Sequence, residues 1–135
     1  MDDQIFCGSC LCGAIAYEIR PPFLFFHHCH CSRCRKSSGT AHSSNILLKK
    51  AQLAFQRGAD SLCRFELPSA EHFCTTWCGR CGSQMPWLTR NGKYYIVPAG
   101  TLDDDPHARP DKNIHWQSRA DWYVDVRKLP IHDEE

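Results

Sequence analysis

No apolar run in the sequence approaches the roughly 18 residues that a membrane-spanning helix requires. Stretches such as Phe23 to Phe26 are strand-sized. The opening MDDQIFCGSC carries two acids and no apolar centre, so it does not read as a secretory signal, and a cytoplasmic location with no membrane partner is expected. A basic block is missing too. Lys and Arg number 16 against 15 Asp and Glu, a net charge of +1 with both signs spread along the chain, and this gives no support to nucleic-acid binding. Convincing amphipathic helices are absent, and no internal repeat is visible beyond short cysteine knuckles.

What the chain has in excess is cysteine, ten in 135 residues. That count suits either a secreted disulfide scaffold or a reduced metal protein, and the missing signal favours the second. The length fits one domain, 1–135, whose limited core would gain from metal staples. Phe26 to Gly39 reads FHHCHCSRCRKSSG, and its centre, Cys29-x-Cys31-x-x-Cys34, is too tight for two ordinary disulfides. Three thiolates at these spacings can converge on one tetrahedral zinc and leave its fourth position open, the arrangement of catalytic rather than structural zinc. Side chains alternate along an extended chain. If Cys29 and Cys31 face a metal, His28 and His30 face away, whereas His27 has the right parity but a long reach.

A second knuckle, Cys78-x-x-Cys81-Gly82, needs a partner pair. Spacing offers either Cys7-x-x-Cys10 or Cys10-x-Cys12, the latter followed by Gly13 as Cys81 is by Gly82. Four cysteines on one zinc make a closed site that ties the N-terminal segment to the middle of the chain.

The patterning predicts an all-β domain of short strands. Candidate strands are Ala14 to Ile19, Phe23 to Phe26, Ser43 to Leu48, Leu53 to Gln56, Leu62 to Leu67, His72 to Trp77, Met85 to Leu88, Tyr94 to Pro98 and Trp122 to Val126. Ser32 to Lys36 reads as a helical turn closed by Ser37-Ser38-Gly39. Asp103 to Asn113, DDDPHARPDKN, reads as a surface loop, and the last few residues as a frayed tail.

Taken together, Gly8-Ser9-Cys10-Leu11-Cys12-Gly13, His28 to Lys36, Cys78-Gly79-Arg80-Cys81-Gly82 and Ala99-Gly100-Thr101-Leu102-Asp103 resemble the glutathione-dependent formaldehyde-activating enzymes. These are also called S-(hydroxymethyl)glutathione synthases, and animal centromere protein V is similar to them. The likeness runs from about residue 7 to residue 130. It implies a β-tent architecture and two zinc ions per chain. Cys10, Cys12, Cys78 and Cys81 would hold a structural zinc, and Cys29, Cys31 and Cys34 a catalytic one. It also implies a carbon–sulfur lyase or synthase whose substrates are a glutathione-like thiol and an aldehyde such as formaldehyde. Cys7, Cys63 and Cys74 match nothing in the pattern and read as buried or incidental thiols.

Three thiolates on a divalent ion leave a formal charge of −1. Arg33, Arg35 and Lys36 stand where they can offset it and meet carboxylates of the thiol. Water, His42 and His115 are candidate proton sources, and no catalytic residue beyond the three cysteines is assigned. Trp116, Trp122 and Tyr123 suit either core packing or a groove. Two other functions stay open, a non-catalytic protein that carries glutathione or docks on a partner, and redox work by Cys31-x-x-Cys34.

Overall fold

The computed structural model describes residues 4–134. Eleven strands and one short helix follow in order: β1 (Phe6–Ser9), β2 (Ala16–Ile19), β3 (Phe25–Cys29), α1 (Ser32–Ser38), β4 (Ser43–Lys49), β5 (Leu53–Arg57), β6 (Leu62–Glu66), β7 (Cys74–Cys78), β8 (Gln84–Met85), β9 (Trp87–Leu88), β10 (Tyr94–Pro98) and β11 (Lys112–Ile114). The expected all-β class holds. The strands form three sheets, β1-β2-β5, β11-β3-β4-β10-β9 and β6-β7-β8, and every pairing is antiparallel except β11 with β3.

The five-stranded sheet is buried on one face because alternate residues of its central strands are apolar. Ile46 and Leu48 of β4 and Val97 of β10 are fully buried against Phe6, Tyr17, Ile19 and Leu53 of the first sheet. Each such side chain contributes about 1.5–3 kcal/mol when removed from water. Its other face carries Phe25, His27 and Cys29 of β3, Ser43 and Asn45 of β4, and Ile96 and Pro98 of β10. These line a cavity whose opposite wall includes Cys74 and Thr75 of β7 and Gln84 and Met85 of β8.

Pro86 divides the expected Met85 to Leu88 strand. It has no amide hydrogen to continue a ladder, so β8 stays with β7 while β9 crosses to β10. The Ala99 to Asp103 motif is an anchor: Asp103 N–H donates to the Cys7 carbonyl at 2.8 Å, Ser9 Oγ donates to Asp103 Oδ2, and the Tyr17 hydroxyl meets Thr101 Oγ1.

Several boundaries differ from the sequence reading. The expected strand at Phe23 to Phe26 begins at Phe25 and extends to Cys29. The expected one at His72 to Trp77 begins at Cys74. The expected strand at Trp122 to Val126 does not form: Trp122, Val124 and Val126 are exposed, and the chain there turns into a 3-10 segment, Val126–Lys128. Conversely, the end of the expected 103–113 loop forms β11, which pairs parallel to β3. Residues 132–134 of the expected tail are exposed, and Glu135 lies outside the described residues. No helix among the described residues is long and apolar enough to cross a membrane.

Gly58 and Gly39 both adopt left-handed φ, 75° and 69°, but a Cβ on Gly58 would collide with the Ala14 carbonyl oxygen, whereas one on Gly39 would meet open space. Gly39→Ala should therefore cost only the conformational term, about 1–2 kcal/mol. Gly58→Ala should cost a further 1–3 kcal/mol, roughly, for overpacking against backbone. Urea unfolding of the two variants checks the difference, and equal midpoints would contradict it.

Candidate metal centres and an adjoining cavity

The first cluster forms where two Cys-Gly turns meet. Gly13 and Gly82 have nearly equal left-handed φ, 80° and 79°, and each donates its N–H back to the carbonyl of the first cysteine of its knuckle, three residues earlier in one turn and four in the other. Gly13 N–H donates to the Cys10 carbonyl at 3.0 Å, and Gly82 N–H donates to the Cys78 carbonyl at 2.8 Å. The sulfurs of Cys10, Cys12, Cys78 and Cys81 lie within 4.8 Å of one another. Cys10 to Cys12 is 3.7 Å and Cys12 to Cys78 is 3.9 Å. A tetrahedral zinc with bonds of about 2.3 Å requires sulfurs about 3.8 Å apart, so the donor set fits that ion. Backbone amides of Ile15 and Arg80 donate to Cys10 Sγ and Cys78 Sγ at 3.2 and 3.4 Å. Cys7, the alternative partner by spacing, is exposed on β1 with its amide bound to Asp104.

Ser83 is a part of this centre that sequence reading missed. Its hydroxyl accepts from Leu11 N–H at 2.9 Å and lies 3.3 Å from Cys81 Sγ. That contact holds the Cys81 thiol down to about 5, which favours the thiolate form that binds metal. A serine two residues after a cysteine is too common a pattern to stand out in one sequence.

The second cluster forms where β3 runs into α1. Cys29 ends the strand and is buried. Cys31 is the N-cap of the helix, with its sulfur accepting from Cys34 N–H at 3.2 Å. The three sulfurs of Cys29, Cys31 and Cys34 lie within 4.8 Å, and among the described residues no fourth Cys, His, Asp or Glu joins them. The thiols divide their protons unequally. Hydrogen bonds from Cys29 and then Cys34 hold Cys31 down to about 2, whereas Cys34 is pushed well above the ordinary thiol range, first by its bond with Cys29. Asn45 Nδ2 donates to Ser43 Oγ at 3.0 Å. Ser43 in turn is hydrogen-bonded to Cys34 in the sense that favours its thiolate.

The histidines separate by strand parity. His30 is fully buried on the side away from the cysteines, with Nε2 2.9 Å from Asn113 Oδ1. His28 packs against His42, the rings tilted by 34° with centroids 4.2 Å apart. His27 shares the Cys29 face, but it stacks on Phe25 at 4.0 Å and approaches Asp111 at 3.6 Å, outside the thiol cluster.

Cys29, Cys31 and Cys34 open on a cavity of about 570 Å³, whereas none of the four cysteines of the first cluster lines it. Of the three expected cations only Arg33 lines the cavity. Arg35 is half-buried and Lys36 is exposed, both elsewhere on α1. His115 reaches the cavity and His42 does not. Trp116 and Tyr123 pack around His30 at 5.0 and 5.3 Å, and Trp122 is 67% exposed, so none of the three forms its wall. The aromatic wall is Phe25, Phe73 and Trp87. Phe25 was in principle readable, being four residues before Cys29 on an alternating strand. Cys74, unassigned by sequence, also lines the cavity, and burial raises its thiol pKa. Cys63 is half-buried beside Gly79.

In zinc-stripped chain that circular dichroism shows still folded, iodoacetamide at pH 6 should modify Cys31 and Cys81, whose thiols are held low, before Cys29, Cys34 and Cys74, whose thiols are raised. The thiolate is the reactive form. Peptide mass spectrometry gives the order, and uniform labelling of all five would contradict it.

The family model of the glutathione-dependent formaldehyde-activating enzyme matches residues 5–118. No curated protein matches. Among solved structures, the crystal structure of a Rhodobacter sphaeroides protein is similar with a TM-score of 0.62 and 22% identity, covering 79% of this chain and 97% of that one, a likeness of fold alone. With the family match spanning most of the sequence, including both cysteine clusters, the chain belongs to the glutathione-dependent formaldehyde-activating enzyme family.

Proposed function

We propose that the chain is a two-zinc carbon–sulfur lyase that joins and parts a glutathione-like thiol and an aldehyde, as in formaldehyde plus glutathione giving S-hydroxymethylglutathione. The observation that carries this reading is the contrast between the clusters: three sulfurs open on a cavity, four sulfurs closed away from it. In this reading Cys10, Cys12, Cys78 and Cys81 hold a structural zinc, and Cys29, Cys31 and Cys34 a catalytic one. Zinc at the three-cysteine site, through its one open position, would either favour the thiolate of a bound thiol or polarise an aldehyde oxygen. Ten free cysteines suit a reducing compartment such as the cytoplasm.

The chain's own groups divide the remaining work. Arg33, on the cavity rim, offsets the −1 charge of three thiolates on a divalent ion and can take a substrate carboxylate. With Ser43 engaged by Cys34 and one Asn45 amide hydrogen by Ser43, the second Asn45 amide hydrogen remains on the same sheet face as Cys29, where an oxygen gains charge as sulfur adds to the carbonyl carbon. Carbon–sulfur bond formation turns the carbonyl into a hydroxyl. The proton lost by the thiol equals the proton gained by oxygen, and rim water or His115 can relay it.

The test is the NMR exchange rate between glutathione and S-hydroxymethylglutathione with substoichiometric zinc-loaded protein. Cys31→Ser should lose the acceleration, by about a hundredfold or more, yet melt within a few degrees of the parent. Cys78→Ser should bind one zinc fewer and melt at least about 10 °C lower, because that metal is folding free energy. Equal destabilisation of the two variants would contradict the division into catalytic and structural sites. Glutathione binding without acceleration would leave a carrier.

A further inference from the structure

The strand register of the five-stranded sheet sorts the cavity wall into three rows. Ile114, Cys29 and Ser43 stand side by side in the first; His27, Asn45 and Pro98 in the second, which Lys112 extends beyond the cavity; Phe25, Ile96 and Trp87 in the third, where Leu47 shares the register without lining the cavity. Rows two residues apart are about 7 Å apart, so Phe25 lies about 13 Å from Cys29 along the strand. Polarity falls along this line, from thiols and a hydroxyl, through an imidazole and an amide, to aromatic and aliphatic side chains.

Exposure also divides the lining by polarity. Its exposed members, including Ser32, Arg33, Glu71, His72, His115 and Ser118, are all polar. Its apolar members, Phe25, Phe73, Met85, Trp87, Ile96 and others, are all half-buried or buried. Arg33 is the only Lys or Arg among the described lining residues. A glutathione-like body, with two carboxylates and an ammonium group, finds partners at the rim and none along the third row. Burying those charges there would go uncompensated. Formaldehyde adds a single carbon at the metal end and leaves the third row unfilled.

Resting on the lyase reading above, we propose that the preferred substrate is a hemithioacetal whose aldehyde-derived carbon bears an apolar substituent of several carbons, seated on Phe25, Phe73, Trp87 and Ile96. The reaction is the same addition and balances in the same way: the carbon–sulfur bond forms, the carbonyl becomes a secondary alcohol, and the thiol proton ends on oxygen. The apolar rows determine which aldehyde is accepted, while the rim determines the thiol.

The experiment compares S-methylglutathione with S-hexylglutathione by titration calorimetry on the zinc-loaded full chain. Burial of a methylene is worth about a threefold to fourfold gain, so S-hexylglutathione, with five more than the methyl compound, should bind on the order of several hundredfold more tightly. Trp87→Ala should remove at least about tenfold of that gain and leave S-methylglutathione within about twofold. Phe73→Ala, outside the strands, supplies the same test if Trp87→Ala fails to fold. Equal affinities for the two ligands would overturn the proposal.

Exchange rates with hexanal and with formaldehyde form the second arm. Faster turnover of the hexanal adduct supports the proposal, and turnover of formaldehyde alone overturns it while leaving the lyase reading intact. No turnover of either aldehyde, with the hexyl preference retained, removes the lyase reading and supports the apolar site.

Discussion

The two-residue repeat of β3 divides a crowded segment into two chemistries. Phe25, His27 and Cys29 point to the cavity, while Phe26 packs toward the main core and His28 and His30 join a separate cluster of rings with His42, Trp116 and Tyr123. A one-residue slip against β4 would exchange the faces, turning His27 and Cys29 away from the cavity and aiming the His28 and His30 imidazoles at it. The register is held from both sides, by β4 antiparallel and β11 parallel. The first holds Ser43 opposite Cys29, and the second brings Asn113 to the buried His30 ring.

That constraint explains how neighbouring cysteines in one chain acquire different roles. The four-cysteine cluster joins two turns 66 residues apart and packs with Ile15 and Met85 in a small buried core. It is a tie between segments, with backbone amides and Ser83 satisfying its sulfurs. The three-cysteine cluster draws all its thiols from six residues at a strand-to-helix junction and closes no long loop. Its loss should therefore leave the sheets standing, whereas loss of the first cluster frees the N-terminal segment from β7. The geometry that makes one cluster a good staple makes the other a poor one and leaves it open toward the cavity.

Much of this was legible before any coordinates. Cysteine spacing identified both clusters, and the paired Cys-Gly turns favoured Cys12 over Cys7 as the partner, the set that the fold brings together. Strand parity correctly turned His28 and His30 away from the cysteines. The failures share a cause, since each needed tertiary information. β11 lies in a charged, proline-containing stretch without alternation, and it is a strand only because β3 offers an edge. Trp122 to Val126 alternates like a strand but has no edge to join. Arg35 and Lys36 are neighbours of Arg33 in sequence, but the turn of α1 carries them off the cavity. Phe73 and Trp87 come from distant segments, and nothing local marks them as neighbours of Cys29.

The central claim is that one cysteine cluster presents an open coordination position to the cavity and the other does not. The visible spectrum of chain loaded with two equivalents of cobalt, titrated with glutathione, tests it most directly. The account predicts that the bands of one cobalt shift on glutathione binding and those of the other stay unchanged, with the shifting set missing from Cys31→Ser. A spectrum indifferent to glutathione, or one in which both sets move together, would contradict it.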